Sequence, residues 1–315
     1  MERQFKNYVL ITLKGIAMGA ADVVPGVSGG TIAFITGVYD ELLSTIKNLP
    51  IAVKELFANK FNLKTFWKSA NLNFLFALLL GIGISILSLA KLTIYMLAQY
   101  PVPMWSFFFG LVLASVWFVL REIKAWEFSH FLFLALGTVA GYLITIVSPA
   151  ETPEALWFIF LAGALAICAM ILPGISGSFI LLLLGKYIYI LDALTKANIP
   201  VILTFASGAI IGIILFSHFL SWLLKNYHAI TVAFLGGVMF GSLNKIWPWK
   251  TVVESVVKPD GNIVSIVENN ILPTTYTELT GESSQILYAA IMLVAGLSII
   301  FIIDNIARRI KAKTA

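Results

Sequence analysis

The stretch VPGVSGGTIAFITGVY, residues 24–39, decides how the chain is read. Its surroundings are strongly apolar, yet Pro25, Gly26, Ser28, Gly29, Gly30 and Thr31 crowd into it. A second stretch, LPGISGSFILLLLGKY at 172–187, repeats the anomaly. Pro25, Gly26, Ser28, Gly29, Ile32, Gly37 and Tyr39 recur there as Pro173, Gly174, Ser176, Gly177, Ile180, Gly185 and Tyr187, seven identities in sixteen positions. Proline removes a helical donor and glycine weakens helical backbone, so each motif predicts a helix break inside an apolar segment. The protein makes that break twice.

The chain has 315 residues, of which 59% are hydrophobic and 12% charged, and its mean hydropathy is +0.94. A soluble domain carries about 25% charged residues, so this composition is that of a polytopic membrane protein. The net charge of +5 comes with no basic run interleaved with aromatics, which argues against a nucleic-acid partner. The one cysteine, Cys168, excludes an intrachain disulfide and leaves no thiol cluster for a metal. The first residues resemble a signal peptide, but Lys14 interrupts the apolar run and cleavage near Ala21 would cut into the duplicated segment.

A helix needs about 20 apolar residues to cross a bilayer. Six segments qualify: 73–98, 103–120, 128–148, 201–224, 228–247 and 286–306. Two longer segments, 8–46 and 155–192, hold the breaks, and each arm, roughly 12 to 17 residues long, is too short to cross alone. They are expected as re-entrant hairpins, because non-helical backbone at membrane depth survives only inside protein or beside water. The duplication extends further. Tyr100, Gly110 and Ser115 match Tyr227, Gly237 and Ser242 at one spacing, Gly81 matches Gly208, and VAGYLITIV from Val139 resembles VAGLSIIFI from Val294. The halves are 1–150 and 151–315, each a broken hairpin followed by three spans. Three is odd, so the second half is expected upside down. The predicted fold is an all-α polytopic membrane protein of two inverted repeats, an arrangement common among secondary transporters.

Loop charges agree. Lys47, Lys54, Lys60, Lys64 and Lys68, then Arg121 and Lys124, then Lys225, then Arg308, Arg309, Lys311 and Lys313 all fall on one side with the N-terminus. The other side receives SPAETPEA, QYPVP and the loop 248–285, where acids outnumber lysines. Both termini are therefore expected in the cytoplasm and the protein in the cytoplasmic (inner) membrane. Segment 47–71 mixes Phe57, Phe61, Phe66 and Trp67 with lysines, as an interfacial amphipathic helix or a plain cytoplasmic loop does. The loop 248–285 is expected to be external and partly ordered.

Each break frees N–H groups at the start of the returning helix, and the small side chains let an anion approach them. Ser28, Gly29, Gly30 and Thr31 form the first cradle, and Ser176, Gly177 and Ser178 the second, where Phe179 replaces the threonine. The first is the more polar. Close helix packing is the alternative use of the same small residues. Intramembrane ionisable groups are functional candidates by default. Lys14 and Asp22 flank the first break, as a substrate contact and an ion-coupling carboxylate or as a structural pair. Glu41 is a second coupling candidate or an interfacial group, and Arg121 an anion contact or a simple inner-face charge. Lys91 can snorkel, Asp304 can pair with Arg308, and His218 reads as a packing residue.

The stretch KGIAMGAADVVPGVSGGTIAFITGVYDELL, from Lys14, closely resembles the signature of a bacterial and archaeal membrane family associated with polyprenyl-phosphate translocation, chiefly undecaprenyl-phosphate recycling. The resemblance spans the chain. It rests on Lys14, Gly19, Asp22, Pro25, Gly26, Ser28, Gly29, Gly30, Thr31, Gly37 and Tyr39, with Pro173, Gly174, Ser176 and Gly177 in the second copy. It implies a lipid-phosphate flippase whose partners are the polyprenyl phosphate and surrounding membrane lipids, with a homodimer an open option. No cofactor is expected, and because moving one negative charge inward costs about 2.3 kcal/mol per 100 mV, a proton or sodium ion is expected as coupling ion. A carrier of a small soluble organic anion is the runner-up. A serine hydrolase built on GVSGG would need a base beside the serine, and His130, His218 and His228 are expected at span ends instead.

Overall fold

The computed structural model describes residues 5–22, 28–58, 61–147, 149, 152–257 and 263–314. Pro25 and Gly26, expected at the centre of the first break, lie outside the described residues. Helix α1, Phe5–Asp22, leads to that break. Beyond it Ser28 caps the short α2, Gly29–Ile35, the chain turns at Gly37, and α3 runs from Tyr39 to Ala58. Then come α4 (Leu63–Ser69), α5 (Leu72–Gln99), α6 (Pro101–Leu120) and α7 (Phe128–Ile146). The second half follows the same order: α8 (Leu156–Ile171), α9 (Gly177–Leu183), α10 (Tyr187–Thr195), α11 (Ile199–Asn226) and α12 (His228–Ser242). After a 3-10 turn, Leu243–Ile246, come strands β1 (Lys250–Val257) and β2 (Ile263–Asn270), then α13 (Pro273–Thr280) and α14 (Ile286–Thr314).

Among the described residues four helices, α6, α7, α11 and α12 with its 3-10 turn, are long and apolar enough to cross a membrane, and up to six spans result if each bent helix pair counts as one. α5 appears there as the main part of one bent pair. The remaining expected span, 286–306, is the first part of α14, apolar over Ile286–Ile302.

Two boundaries differ from expectation. Each returning arm was expected as one helix, but α9 and α10 meet at a 107° bend at Gly185, whose φ of +61° suits glycine, and Gly37 has a φ of +70° at the matching place. The expected end of the first hairpin at 46 falls inside α3, which continues through Pro50 with Ile46 and Ala52 both buried. Segment 47–71 is thus the end of α3 plus α4, whose Leu63 and Trp67 are exposed. The described residues of the loop 248–285 form two strands and a helix, in keeping with the expected partial order. β1 and β2 pair antiparallel with Lys250 opposite Asn270, and a bulge follows Val252. Buried Tyr276 of α13 packs with Val102 and Ala289, which seats this unit on the starts of α6 and α14.

α6 and α12 form the centre: 67% of the apolar window of each is buried, against 17% for α7 and α11. The most extensive helix contacts join α1 to α5 and α8 to α11 within the halves, and α6 to α14 and α7 to α12 between them. Each half thus keeps one helix pair and exchanges partners for the other. Glycines make these contacts close. An added Cβ on Gly15 would strike Leu78 O and one on Gly81 would strike Thr12 O; Gly163 and Gly208 face Phe205 O and Phe160 O in the same way. Gly110 and Gly296 serve α6 and α14, and Gly137, Gly141, Gly237 and Gly241 serve α7 and α12. In a bilayer, where apolar burial does not drive helices together, such backbone approach supplies the packing energy.

Candidate functional site at the meeting of two helix breaks

The two breaks are bonded to each other. Helix α8 ends at Ile171, and its last carbonyls have no helical partner. The Ser28 hydroxyl donates toward Leu172 O at 3.1 Å and Met170 O at 3.3 Å, while the Tyr39 hydroxyl donates to Ile171 O at 3.1 Å. In return the Gly174 N–H donates to Thr31 Oγ1 at 3.0 Å. Ser28 and Thr31 are 1% and 0% exposed, so these bonds lie in the core. Gly30 is closely packed too, since a Cβ there would meet Ile171 O at 2.5 Å.

The donors of the first cradle are occupied by the protein itself. The Gly29 N–H donates to Asp22 Oδ1 at 2.7 Å and the Gly30 N–H to Ser28 Oγ at 3.1 Å. A Cβ on Gly29 would collide with the Asp22 carboxylate. The carboxylate therefore sits where an incoming anion would find that N–H. Lys14 Nζ donates to Thr36 O at 2.6 Å, which ties α1 to the end of α2.

The second cradle is arranged differently. Ser176 and Ser178 share a hydroxyl–hydroxyl bond of 2.8 Å, and Gly177 packs against Ala166 O. Gly174, Ser176 and Phe179 line a small void with Thr145, Ser242 and Lys245. The structure thus brings Asp22, Ser28, Gly29, Gly30, Thr31, Pro173, Gly174, Ser176, Gly177 and Ser178 into one region around the paired breaks. Glu41 accepts from Asn71 Nδ2 at 3.0 Å at the head of α5. Exposed Arg121 stacks on Phe118 at 4.0 Å at the end of α6. His130 Nδ1 accepts from the Glu127 N–H, His218 Nδ1 contacts Ile214 O, and His228 faces Glu122. The side chains of Lys91 and Asp304 lie outside the described residues.

Sequence reasoning missed Lys245 and Lys250. Both reach Glu268 Oε2, at 3.1 and 3.2 Å, and Lys250 also donates to Lys245 O at 2.6 Å. Lys245 lies 5.0 Å from the Phe179 ring and Lys250 4.0 Å from that of Trp105. Burial pushes the Lys250 ammonium down to about 8 despite the neighbouring carboxylate. Burial alone would raise the Glu268 carboxyl, but Lys250 and Lys245 outweigh it and hold it below its ordinary value. A signal existed: KIWPWK, 245–250, puts two lysines on the face that the charge bias leaves poor in them.

Residues 18–264 match the model of a family described as undecaprenyl phosphate translocase-like. A protein of Vibrio cholerae named polyprenyl-phosphate transporter is 44% identical over 303 residues, which cover 96% of this chain and 98% of that protein. A protein of Staphylococcus aureus with the same name is 31% identical over 289 residues, covering 86% and 96%. No solved structure matches the chain.

Proposed function

The chain belongs to the undecaprenyl phosphate translocase-like family, and on that premise we propose that it carries a polyprenyl phosphate, undecaprenyl phosphate above all, across the cytoplasmic membrane for re-use as carrier lipid. The observation that carries this reading is the bonding of the two breaks to each other, Ser28 to Met170 and Leu172 and Gly174 to Thr31, at the centre of an apolar bundle. Carriers work by making and breaking one central contact as access alternates. A pair of duplicated, mutually bonded breaks is suited to that. The exchange of helix partners shows that the halves interlock, and we read them as an inverted repeat with both termini cytoplasmic from the odd span count and the lysine bias of the loops.

The phosphate competes with Asp22. Moving one negative charge inward costs about 2.3 kcal/mol per 100 mV, so transport needs a compensating cation. An ionised Asp22 holds the Gly29 N–H and repels a phosphate. Asp22 loaded with a proton or sodium ion releases that donor and loses its repulsion. Cation loading and phosphate loading then favour each other, which is the coupling the energetics require. The serines serve as hydrogen-bonding groups rather than nucleophiles, and the names of the family and its relatives are those of transporters.

The test is flipping of a fluorescent polyprenyl phosphate in vesicles carrying the purified protein. Flipping that depends on protein and responds to an imposed proton or sodium gradient is expected. Transport of small organic phosphates with no action on the lipid would establish the soluble-anion carrier instead.

A further inference from the structure

Two adjoining cavities lie to one side of the paired breaks, next to the second, where the β-hairpin and α13 meet α6, α7 and α12. The larger, about 760 Å³, is a groove walled by Phe109, Leu113, Phe240, Leu243, Trp247 and Leu272. The smaller, about 370 Å³, is polar and is lined by Thr145, Asn244, Lys245, Glu268 and Asn270, with Phe179. Tyr142, Asn244 and Asn270 line both, so the apolar groove opens into the polar chamber.

Among the described residues, the charge of the cluster at the chamber is not balanced. Lys245 and Lys250 converge on one carboxylate oxygen, two cations on one anion, and the three side chains are 13%, 7% and 17% exposed. Their sum is one positive charge held at low exposure, where an arriving anion is attracted strongly. Neutral donors stand around it. Asn244 Nδ2 donates to Thr145 Oγ1 at 2.8 Å, and Asn270 Nδ2 donates to Asn244 Oδ1 at 2.9 Å, so this amide network can re-aim toward a ligand.

We infer that the groove and chamber together form a loading site for a single-chain amphiphile with a phosphate headgroup, the phosphate on Lys245 and the first isoprenoid units along Phe109, Leu113 and Trp247. This rests on the transport reading above and adds where the lipid is first held. Combined polar and apolar lining of this size is what ligand pockets show. The rest of a long polyprenyl chain stays in the bilayer. The site is a waiting position rather than the crossing point. A void of about 10 Å³ beside Thr145, Phe179 and Lys245 connects toward Gly174 and Ser176, room for a single water. A headgroup in the chamber therefore advances to the breaks only when Phe179, which lines both the chamber and the void, moves.

The experiment uses the full chain in detergent, with farnesyl phosphate as probe and farnesol and inorganic phosphate as controls. Binding is measured by calorimetry, and lipid flipping is measured in vesicles with the same variants. Lys245→Met is expected to weaken farnesyl phosphate binding about 10-fold or more, the loss of one charged hydrogen bond, and to leave farnesol unchanged. Lys245→Arg is expected to restore most of the affinity. Leu113→Trp fills the groove and is expected to weaken the phosphate and the alcohol alike, with inorganic phosphate weak throughout. If the wild type flips lipid while Lys245→Met and Leu113→Trp, both folded by thermal unfolding, bind and flip normally, the loading site is overturned and the transport reading stands. If inorganic phosphate binds as tightly as farnesyl phosphate, the amphiphile assignment is overturned. If the wild type neither binds the probe nor flips lipid, the transport reading falls and takes the site with it.

Discussion

At the scale of single residues, Asp22 separates a carrier from a merely well-packed bundle. Its carboxylate accepts the Gly29 N–H at 2.7 Å, beside the break where the lipid phosphate is proposed to pass. Asparagine has nearly the same size and keeps a carbonyl oxygen to accept that N–H, so Asp22→Asn is expected to fold normally. It can neither bind a proton nor compensate a phosphate by changing charge. The variant is therefore expected to keep lipid binding and to lose the response of flipping to a proton or sodium gradient. Vesicle flipping with and without imposed gradients measures this. A normal rate with an unchanged gradient response would make Asp22 a structural group. Ser28 and Thr31 also change meaning. The sequence presents them as open donors, whereas the structure uses the Ser28 hydroxyl on α8 carbonyls and Thr31 Oγ1 as an acceptor for Gly174. A hydroxyl's partner depends on a segment some 140 residues away, so no local pattern could reveal it.

At the scale of elements, helix packing rests on glycines whose neighbours distinguish them. Gly81 and Gly83 lie two residues apart on α5. A Cβ on Gly81 would strike Thr12 O and come within 2.8 Å of Ile16 N, while one on Gly83 meets nothing within 4 Å. Gly81→Ala is expected to destabilise the protein by about 1–3 kcal/mol, the usual cost of overpacking, and Gly208→Ala to do the same between α8 and α11. Gly83→Ala should be neutral or slightly stabilising. Thermal unfolding in detergent compares the three, and equal effects at 81 and 83 would refute close approach as the source of stability. The β-hairpin gives a second test. Lys250 has a folded value near 8 against an ordinary 10.5. Between these values the unfolded state binds more protons, so the penalty of the buried ammonium is fully present below about pH 8 and is relieved as pH rises toward 10.5. Unfolding temperature should accordingly rise more steeply with pH over that window in the wild type than in Lys250→Met. The spans were legible because long apolar runs have one outcome in a bilayer, and both breaks because proline and glycine have local effects. The strands were not, since KTVVESVV and IVSIVENN carry only weak alternation and pair through a tertiary hairpin. Nor was the length of α3, because the apolar run gives way near 46 to the lysine-bearing segment 47–71, which reads as a separate element.

At the scale of the whole molecule, the proposed inversion makes a claim about sides. Three spans per half put residues 47–71 and the hairpin with α13 on opposite faces, and the lysine bias assigns the first to the cytoplasm. The exchange of partners, α6 with α14 and α7 with α12, suits halves that interlock across the membrane. Labelling can decide it. Cys168, the one native cysteine, is half-buried in α8 and would first be replaced by serine. Lys64 and Glu278 are both exposed and lie in α4 and α13. In intact cells an impermeant maleimide is expected to modify Glu278→Cys directly and Lys64→Cys only after permeabilisation. Labelling of both from outside would mean an even number of crossings between them and would end the inverted arrangement. Labelling of Lys64→Cys alone would keep the inversion and reverse its orientation. That reversal would also place the Lys245 chamber on the cytoplasmic face, so the lipid would load from the inner leaflet and transport would run outward.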